Sequence, residues 1–141
     1  MELEEFLFEA NGMKMLLDPR IAWLAWKDER PVGVIIALPD ANLALHAVNG
    51  RLLPFGILRL PFLLKRIRPI RTVMLGVVSD CRNRGLDLAL VQRLVAAGLE
   101  AGYHTSEMSW VLEDNEVMLK LARNYGGELT RRYRLYRCPL G

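Results

Sequence analysis

Residues 73–102 read VMLGVVSDCRNRGLDLALVQRLVAAGLEAG, and this stretch determines the fold of the chain. Its first part, 73–78, is an uncharged run with three valines, which is typical of a buried β-strand. A polar loop follows at 79–85. The last part repeats apolar residues at helical spacing, and we predict an amphipathic helix that ends at Gly98 or Gly102. The residues expected on its apolar face are Leu86, Leu90, Leu94, Val95 and Leu99.

The loop between this strand and this helix has the features of an anion-binding site. A helix begins with backbone N–H groups that lack intrahelical partners and with the positive end of its dipole. Gly85 keeps a side chain out of the way of a ligand, and Arg82 and Arg84 add positive charge. We therefore expect phosphate binding, with an ordinary solvated loop as the alternative. Asp87 opposes phosphate by charge repulsion, unless it serves only to stabilise the first helical turn.

The succession of strand, Arg-Asn-Arg-Gly-Leu-Asp loop and helix resembles the GCN5-related N-acetyltransferase (GNAT) superfamily. The signature of that family is Arg or Gln, two residues, Gly, one residue, and then Gly or Ala. Residues 82–87 match this signature except at the last position, which is Asp87. The resemblance covers about 73–137, including a strand that leads to Asn115, a further helix and a Tyr-Gly-Gly turn at 125–127.

The fold implied by this resemblance is α/β, with a mixed, mostly antiparallel sheet that is flanked by helices and splayed between its central strands. The patterns of the chain predict an amphipathic helix at 2–17 and strands at 21–27, 32–38, 105–112 and 128–138. No counterpart of the first strand of the family is evident. Residues 38–71 are interpreted as an insertion within a single domain, 1–141, because a tight turn usually joins the flanking strands in this family.

The resemblance implies a co-substrate, acetyl-CoA, and transfer of its acyl group to an amine of a small molecule or peptide. In this family the loop binds the diphosphate of the cofactor, and the preceding strand binds its pantetheine arm. The implied cofactor-binding residues are Leu75, Val77, Val78, Arg82, Asn83, Arg84, Gly85, Leu86, Asp87 and Asn115. We expect Gly76 to permit a bulge where the strands separate. Asn115 has an alternative role as a helix N-cap.

The catalytic residue is unknown from the sequence. Many members of the family place a Tyr about seven residues after the Asn to protonate the departing thiolate, but Ala122 occupies that position here. Tyr125 and Glu113 are the remaining candidates. Because some family members work by proximity alone, the missing Tyr leaves activity open. The alternative is a non-catalytic GNAT-like module that binds a protein partner or a membrane surface through residues 38–71.

Further side chains have both a functional and a structural interpretation. Glu107 and His46 are possible bases, although a histidine on an apolar stretch is more often packed or solvated. Cys81 precedes Arg82 near a helix start, where the pKa of a thiol can fall, but a loop cysteine without function is the simpler interpretation. Trp110 is expected in the core.

Composition limits the classes of function. The chain has 141 residues, 52% of them hydrophobic, and a net charge of +3, with a surplus of arginine in its second half. This charge favours polyanionic ligands, but no aromatic stacking surface accompanies the arginines, so nucleic acid is not expected. No metal site is predicted. The acidic start of the chain has no signal segment and no apolar run is long enough to span a bilayer, so a cytoplasmic protein is expected.

Residues 57–71 interleave apolar side chains with Arg and Lys, which resembles an interfacial membrane element. The favoured alternatives are a cover over the edge of the sheet and a homodimer contact. Membrane association is therefore not the expectation from sequence, and a homodimer contact is one of the two favoured alternatives.

Overall fold

A computed structural model describes residues 11–14, 16–47, 62–64 and 66–138. Most of the predicted helix at 2–17, and residues 48–61 of the predicted insertion, lie outside these ranges. The chain forms two compact units, Met1–Trp110 and Val111–Gly141. Each unit is described separately below.

The first unit is built on a four-stranded sheet. Its strands are β1 (Ala22–Lys27), β2 (Arg30–Pro39), β3 (Pro69–Val77) and β4 (Thr105–Met108), and they lie in this order across the sheet. β1 pairs with β2 and β2 with β3 in the antiparallel sense, whereas β3 and β4 are parallel. The prediction of a mixed, mostly antiparallel sheet is confirmed.

The hairpin of β1 and β2 follows from the sequence. Asp28 and Glu29 form its tip with φ angles of 48° and 62°. Two successive positive φ angles define a type I′ turn, whose twist matches that of the flanking strands. Trp23 and Trp26 differ in exposure, as expected for opposite faces: Arg93 lies 4.3 Å above the ring of Trp23, and Trp26 is 61% exposed.

Two helices of the first unit are α1 (Ala41–Ala47) and α2 (Leu86–Glu100). The buried residues of α2 are Leu90, Val91, Leu94 and Gly98. The predicted apolar face was wrong at Val95 and Leu99, which are exposed. The helix is rotated so that Gly98, which has no side chain, faces the sheet, and a Cβ there would lie 3.8 Å from Ile70. The expectation for Trp110 was also wrong, because this side chain is 83% exposed.

The second unit contains α3 (Glu116–Asn124), which begins at Asn115 as its N-cap. The side chain of Asn115 accepts a hydrogen bond from the N–H of Met118 at 3.2 Å. The predicted strand at 128–138 was wrong, since these residues form no strand. Alternation of apolar and basic residues suits a strand, but a strand needs a hydrogen-bonded neighbour, and no ladder within the described residues includes this segment. Arg132 and Arg134 pair instead with Glu113.

Asp18 connects the start of β1 with the end of α2. It accepts hydrogen bonds from the Nε of Arg20 at 3.0 Å and from the hydroxyl of Tyr103, a buried residue, at 2.8 Å. The bond from Arg20 is the main reason why the pKa of Asp18 falls from 3.8 to about 2, although burial acts in the opposite direction. Burial is the main reason why the pKa of Tyr103 is raised. The ionised carboxylate therefore stabilises the fold.

We expect the variant Asp18→Asn to lower the free energy of unfolding at pH 7 by about 1 kcal/mol. Because the pKa of Asp18 is lower in the folded state, its contribution is complete above pH 4 and disappears as the pH falls through 2. Urea denaturation should show wild type and variant converging over that interval. Glu100→Gln, at an exposed site, is the control. A difference that stays constant down to pH 2 would contradict this role of the charge.

We also expect Gly33→Ala to destabilise the protein by about 1–3 kcal/mol, because α2 packs directly on this glycine. A Cβ at Gly33 would lie 3.0 Å from Cδ1 of Leu90 and 3.4 Å from Cδ2 of Leu86. Gly76→Ala is a matched control on the neighbouring strand, where the added Cβ would meet only Val34 at 3.6 Å. Thermal unfolding of both variants measures the difference. Equal effects would show that α2 can move away from the sheet at no cost.

Candidate functional site

The first element of the site is an edge of β3 that β4 leaves unpaired. β2 pairs with β3 from Ile70 to Val77, whereas β4 pairs only with Pro69–Thr72. Residues 73–77 therefore continue β3 without a β4 partner. The resemblance implied a splay between central strands; within the described residues β4 is the edge strand, and the separation is its departure from β3 after Thr72.

The bend that accompanies this separation lies at Val73. The register between β2 and β3 passes from Ile36↔Met74 to Ala37↔Thr72, so that Val73 is an extra residue. A bulge increases the local twist and bends the strand that contains it. It lies directly after Thr72, where pairing with β4 ends. The predicted bulge at Gly76 was wrong, because Gly76 stays in regular register with Val34.

Hydrogen bonding to β2 determines which backbone groups face the unpaired edge. The N–H of Val78 donates to the carbonyl of Val32 at 3.0 Å. In an antiparallel ladder, successive residues direct their N–H and C=O groups alternately to the two sides. The corresponding groups of Leu75 and Val77 therefore point away from β2. The family resemblance implied Leu75, Val77 and Val78 as binding residues. The backbone groups of Leu75 and Val77 lie on the open side, whereas the N–H of Val78 is bonded to β2.

The second element is the loop that joins β3 to α2. It contains a short 3₁₀ turn, Ser79–Cys81, and then Asn83 and Gly85 with φ angles of 58° and 76°. Gly85 is the N-cap of α2 and supplies no capping side chain. A Cβ at Gly85 would have no heavy atom within 4 Å, so the space before the helix is open. The first N–H groups of α2 are thus directed to an accessible position.

The two loop arginines have different surroundings. The Nε of Arg82 donates to the carbonyl of Val77 at 3.1 Å, and this bond ties the loop back to the end of β3. Arg84 is exposed, and within the described residues no ion pair includes it. Arg84 therefore provides an uncompensated charge beside the start of α2, whereas Arg82 has a bond that positions its guanidinium.

Acidic residues also lie near the loop. Asp87 is half-buried in the first turn of α2, where the helix dipole stabilises a negative charge. Asp80 pairs with Arg30 at 3.1 Å, a contact that the sequence analysis missed. The two residues are 50 positions apart, and no local sequence pattern predicts their contact. This pair compensates the charge of Asp80 within the loop.

The remaining candidates do not join this site within the first unit. Asn115, Glu113 and Tyr125 belong to the second unit, where Asn115 caps α3, Glu113 pairs with two arginines and Tyr125 follows the last helical turn. Each of them keeps its role in the reaction only as a prediction.

The sequence analysis also considered Glu107, His46 and Cys81, and the structure describes the surroundings of all three. Glu107 accepts a hydrogen bond from Nη2 of Arg71 at 3.0 Å, so its carboxylate is already engaged. His46 lies exposed in the last turn of α1. Cys81 is buried, which removes its thiol from the surface of the loop. Among the described residues, no group of three or more His, Cys, Asp or Glu is placed to hold a metal ion.

The sequence matches no protein-family model. It is 33% identical over 133 residues to a bacterial ceramide synthase of Caulobacter vibrioides and 31% identical over 138 residues to Protein YghO of Escherichia coli. These alignments cover 90% and 94% of this chain and 35% of each relative. The chain therefore corresponds to only a part of the length of these relatives.

Three solved structures resemble this chain over most of its length and most of their own. Aminoglycoside acetyltransferase AAC(6')-Iy, in complex with a CoA-containing bisubstrate analogue, has a TM-score of 0.64 at 17% identity and covers 98% of this chain and 81% of its own. AAC(6')-IG from Acinetobacter haemolyticus has a TM-score of 0.64 at 13% identity, with coverages of 100% and 84%. A ribosomal-protein-alanine N-acetyltransferase from Brucella melitensis biovar Abortus 2308 has a TM-score of 0.53 at 20% identity, with coverages of 93% and 79%.

All three of these structures are N-acetyltransferases by name, and they share their architecture with this chain. The strand–loop–helix unit at 73–102, the splayed sheet and the structural similarity agree. This chain has the fold of the GCN5-related N-acetyltransferases.

Proposed function

We propose that this chain carries an acyl-CoA-dependent N-acyltransferase site at the unpaired edge of β3 and the start of α2. The observation that carries the proposal is the position of the open helix start, at Gly85, one loop after a strand edge that β4 leaves unpaired in the described part of the chain. A cofactor with a diphosphate at one end and an amide-containing arm at the other suits this combination. CoA and a CoA-containing analogue are bound in structures of AAC(6')-Iy, which has the same fold.

The loop supplies the groups that a diphosphate requires. Backbone N–H groups at a helix start bind phosphate oxygens, and the absence of a side chain at Gly85 lets those oxygens approach. Arg84 adds a charge that no carboxylate compensates within the described residues. The carboxylate of Asp87 would repel the diphosphate. We therefore propose that this side chain points away from the phosphates and that backbone N–H groups are the principal binding groups.

The edge of β3 supplies the groups that the pantetheine arm requires. The amides of the pantetheine arm can add to a strand edge in the way an extended peptide does, by hydrogen bonding to exposed backbone groups. Leu75 and Val77 direct their N–H and C=O groups to this side. The bond from Arg82 to the Val77 carbonyl fixes the junction between edge and loop, so that both parts of the cofactor meet a preorganised surface.

The reaction proposed for this site is attack of a neutral amine on a thioester carbonyl. The new N–C bond forms as the C–S bond breaks, the amine loses one proton, and the thiolate leaves as CoA and takes up a proton. An N–H group on the β3 edge can stabilise the negative charge that develops on the carbonyl oxygen. Because Glu107 and Glu113 are held in ion pairs, we assign the main catalytic effect to positioning, with water carrying the proton.

The name of one relative suggests the class of acceptor. A ceramide is a long-chain amino alcohol acylated on its nitrogen, and the relative named bacterial ceramide synthase is 33% identical to this chain. We therefore propose a long-chain amino alcohol as the amine, in preference to an aminoglycoside. Support for this choice comes from the sequence similarity alone.

A non-catalytic binding module is the second candidate. Two substitutions favour it: Ala122 replaces the tyrosine expected in the resemblance, and Asp87 replaces a small residue beside the diphosphate. Such a module would keep the fold and bind a partner without transferring an acyl group. Cofactor binding and product formation distinguish the two candidates.

Acetyl-CoA should stabilise the chain against heat. If the ligand is present at 100 times its dissociation constant, the gain is about 2.7 kcal/mol, which raises the melting temperature by several degrees. Arg84→Glu should weaken binding about 10- to 100-fold, because it removes a charge-assisted contact to phosphate. Arg66→Glu changes the net charge equally at a distant loop and is the control. Absence of a shift with both acetyl-CoA and CoA would overturn the proposed site.

Incubation with long-chain acyl-CoA and a long-chain amino alcohol should produce free CoA thiol and the N-acyl product. Thiol release can be followed with a colorimetric reagent and the amide by mass spectrometry. Arg84→Glu should lower the rate at subsaturating acyl-CoA about 10-fold or more, through weaker binding. Thermal stabilisation by acyl-CoA without product from any amine tested, including an aminoglycoside and a peptide N-terminus, would favour the binding module.

A further inference from the structure

We propose that a basic groove beside α1 docks the protein on a membrane surface that contains anionic lipid. The groove is lined by Leu43 and Ala47 of α1 and by Leu63, Arg66, Ile67 and Arg68 of the segment before β3. It belongs to the first unit and consists of described residues. This inference does not depend on acyl transfer, although a long-chain acceptor would be presented at such a surface.

The composition of the groove combines apolar walls with cationic side chains. Its volume is about 330 Å³, and its lining residues are apolar apart from Arg66 and Arg68. Leu43 is 49% exposed, and Phe62, which directly precedes Leu63 in the chain, is 72% exposed. Large apolar side chains next to arginines are the composition of an element that lies in the interface of a bilayer.

The charges of the groove lack compensation. Arg20, Arg30 and Arg71 each pair with a carboxylate, whereas no ion pair of the described structure includes Arg66 or Arg68. The surrounding sequence explains the difference. Between Asp40 and Asp80 there is no acidic residue, and the charged residues are Arg51, Arg59, Lys65, Arg66, Arg68 and Arg71. Arg66 and Arg68 therefore have no acidic residue near them in the sequence, and anions from outside can pair with them.

An anionic bilayer satisfies both properties at once. Lipid phosphates can pair with the guanidinium groups, and basic residues near such a surface strengthen binding to anionic lipid. The exposed leucine and phenylalanine enter the boundary between head groups and acyl chains, which a nucleic acid does not offer. No helix in the described part of the chain has the length and apolar character needed to cross a bilayer, so docking is peripheral.

The test is cosedimentation of the whole chain with vesicles of phosphatidylcholine alone or with about one-third phosphatidylglycerol, at low and high salt. We expect binding to the anionic vesicles only, decreasing as salt rises. The double variant Arg66→Glu/Arg68→Glu should lose about 10-fold or more in affinity. The control Arg84→Glu/Arg123→Glu carries the same change in net charge at other exposed sites and should lose much less.

A second pair of variants tests the apolar contribution. Leu43→Ser/Phe62→Ser should weaken binding at both salt concentrations, since apolar contacts are not screened. Circular dichroism establishes folding, and Arg66→Gln/Arg68→Gln replaces the charge-reversed variant if that variant fails to fold. Equal losses in the groove and control variants, equal binding to neutral vesicles, or no binding to either would overturn the proposal. The shift with acetyl-CoA is measured separately, so failure of the docking surface is distinguishable from failure of the cofactor site.

Discussion

The structure of the site depends on one constraint: β3 has a full ladder on one side and a partial ladder on the other. Unpaired N–H and C=O groups at a strand edge can form hydrogen bonds with another strand, so exposed edges favour unwanted pairing between chains. Here the edge at 73–77 begins at a bulge and ends in a loop whose arginine bonds the last carbonyl of the strand. The edge is therefore short and bent, which suits an extended ligand better than a long flat strand.

The packing of α2 on the sheet determines where the start of this helix lies relative to the edge of β3. Gly33 on β2 lets the side chains of Leu86 and Leu90 lie against the sheet, and Gly98 allows the same close approach beside Ile70. Because a glycine lies at the contact near each end of the helix, Gly33 on β2 and Gly98 in the helix itself, both ends pack closely on the sheet. The left-handed conformation of Gly85 then turns the chain from strand to helix within a short loop, so that the helix start and the strand edge share one end of the sheet.

Local patterns predicted much of this architecture, whereas features set by distant contacts were missed. The two strands on either side of Asp28 and Glu29, the helix after Gly85 and the cap at Asn115 are determined by neighbouring residues, and all were predicted from sequence. The bulge at Val73 and the rotation that exposes Val95 depend on how strands and helix meet, which periodicity does not specify. The alternation of apolar and basic residues at 128–138 likewise predicted a strand. Alternation indicates that a segment has two different faces, but it does not indicate that a neighbouring strand is present to pair with it.

The two carboxylates that sequence reasoning proposed for proton transfer are engaged in ion pairs. Glu107 lies 3.0 Å from Arg71, and Glu113 bonds Arg134 and lies near Arg132, so each carboxylate is already engaged in an ion pair. In the function proposed above, the fixed backbone therefore carries the reaction: the strand edge would orient the thioester, and the helix start would bind the diphosphate.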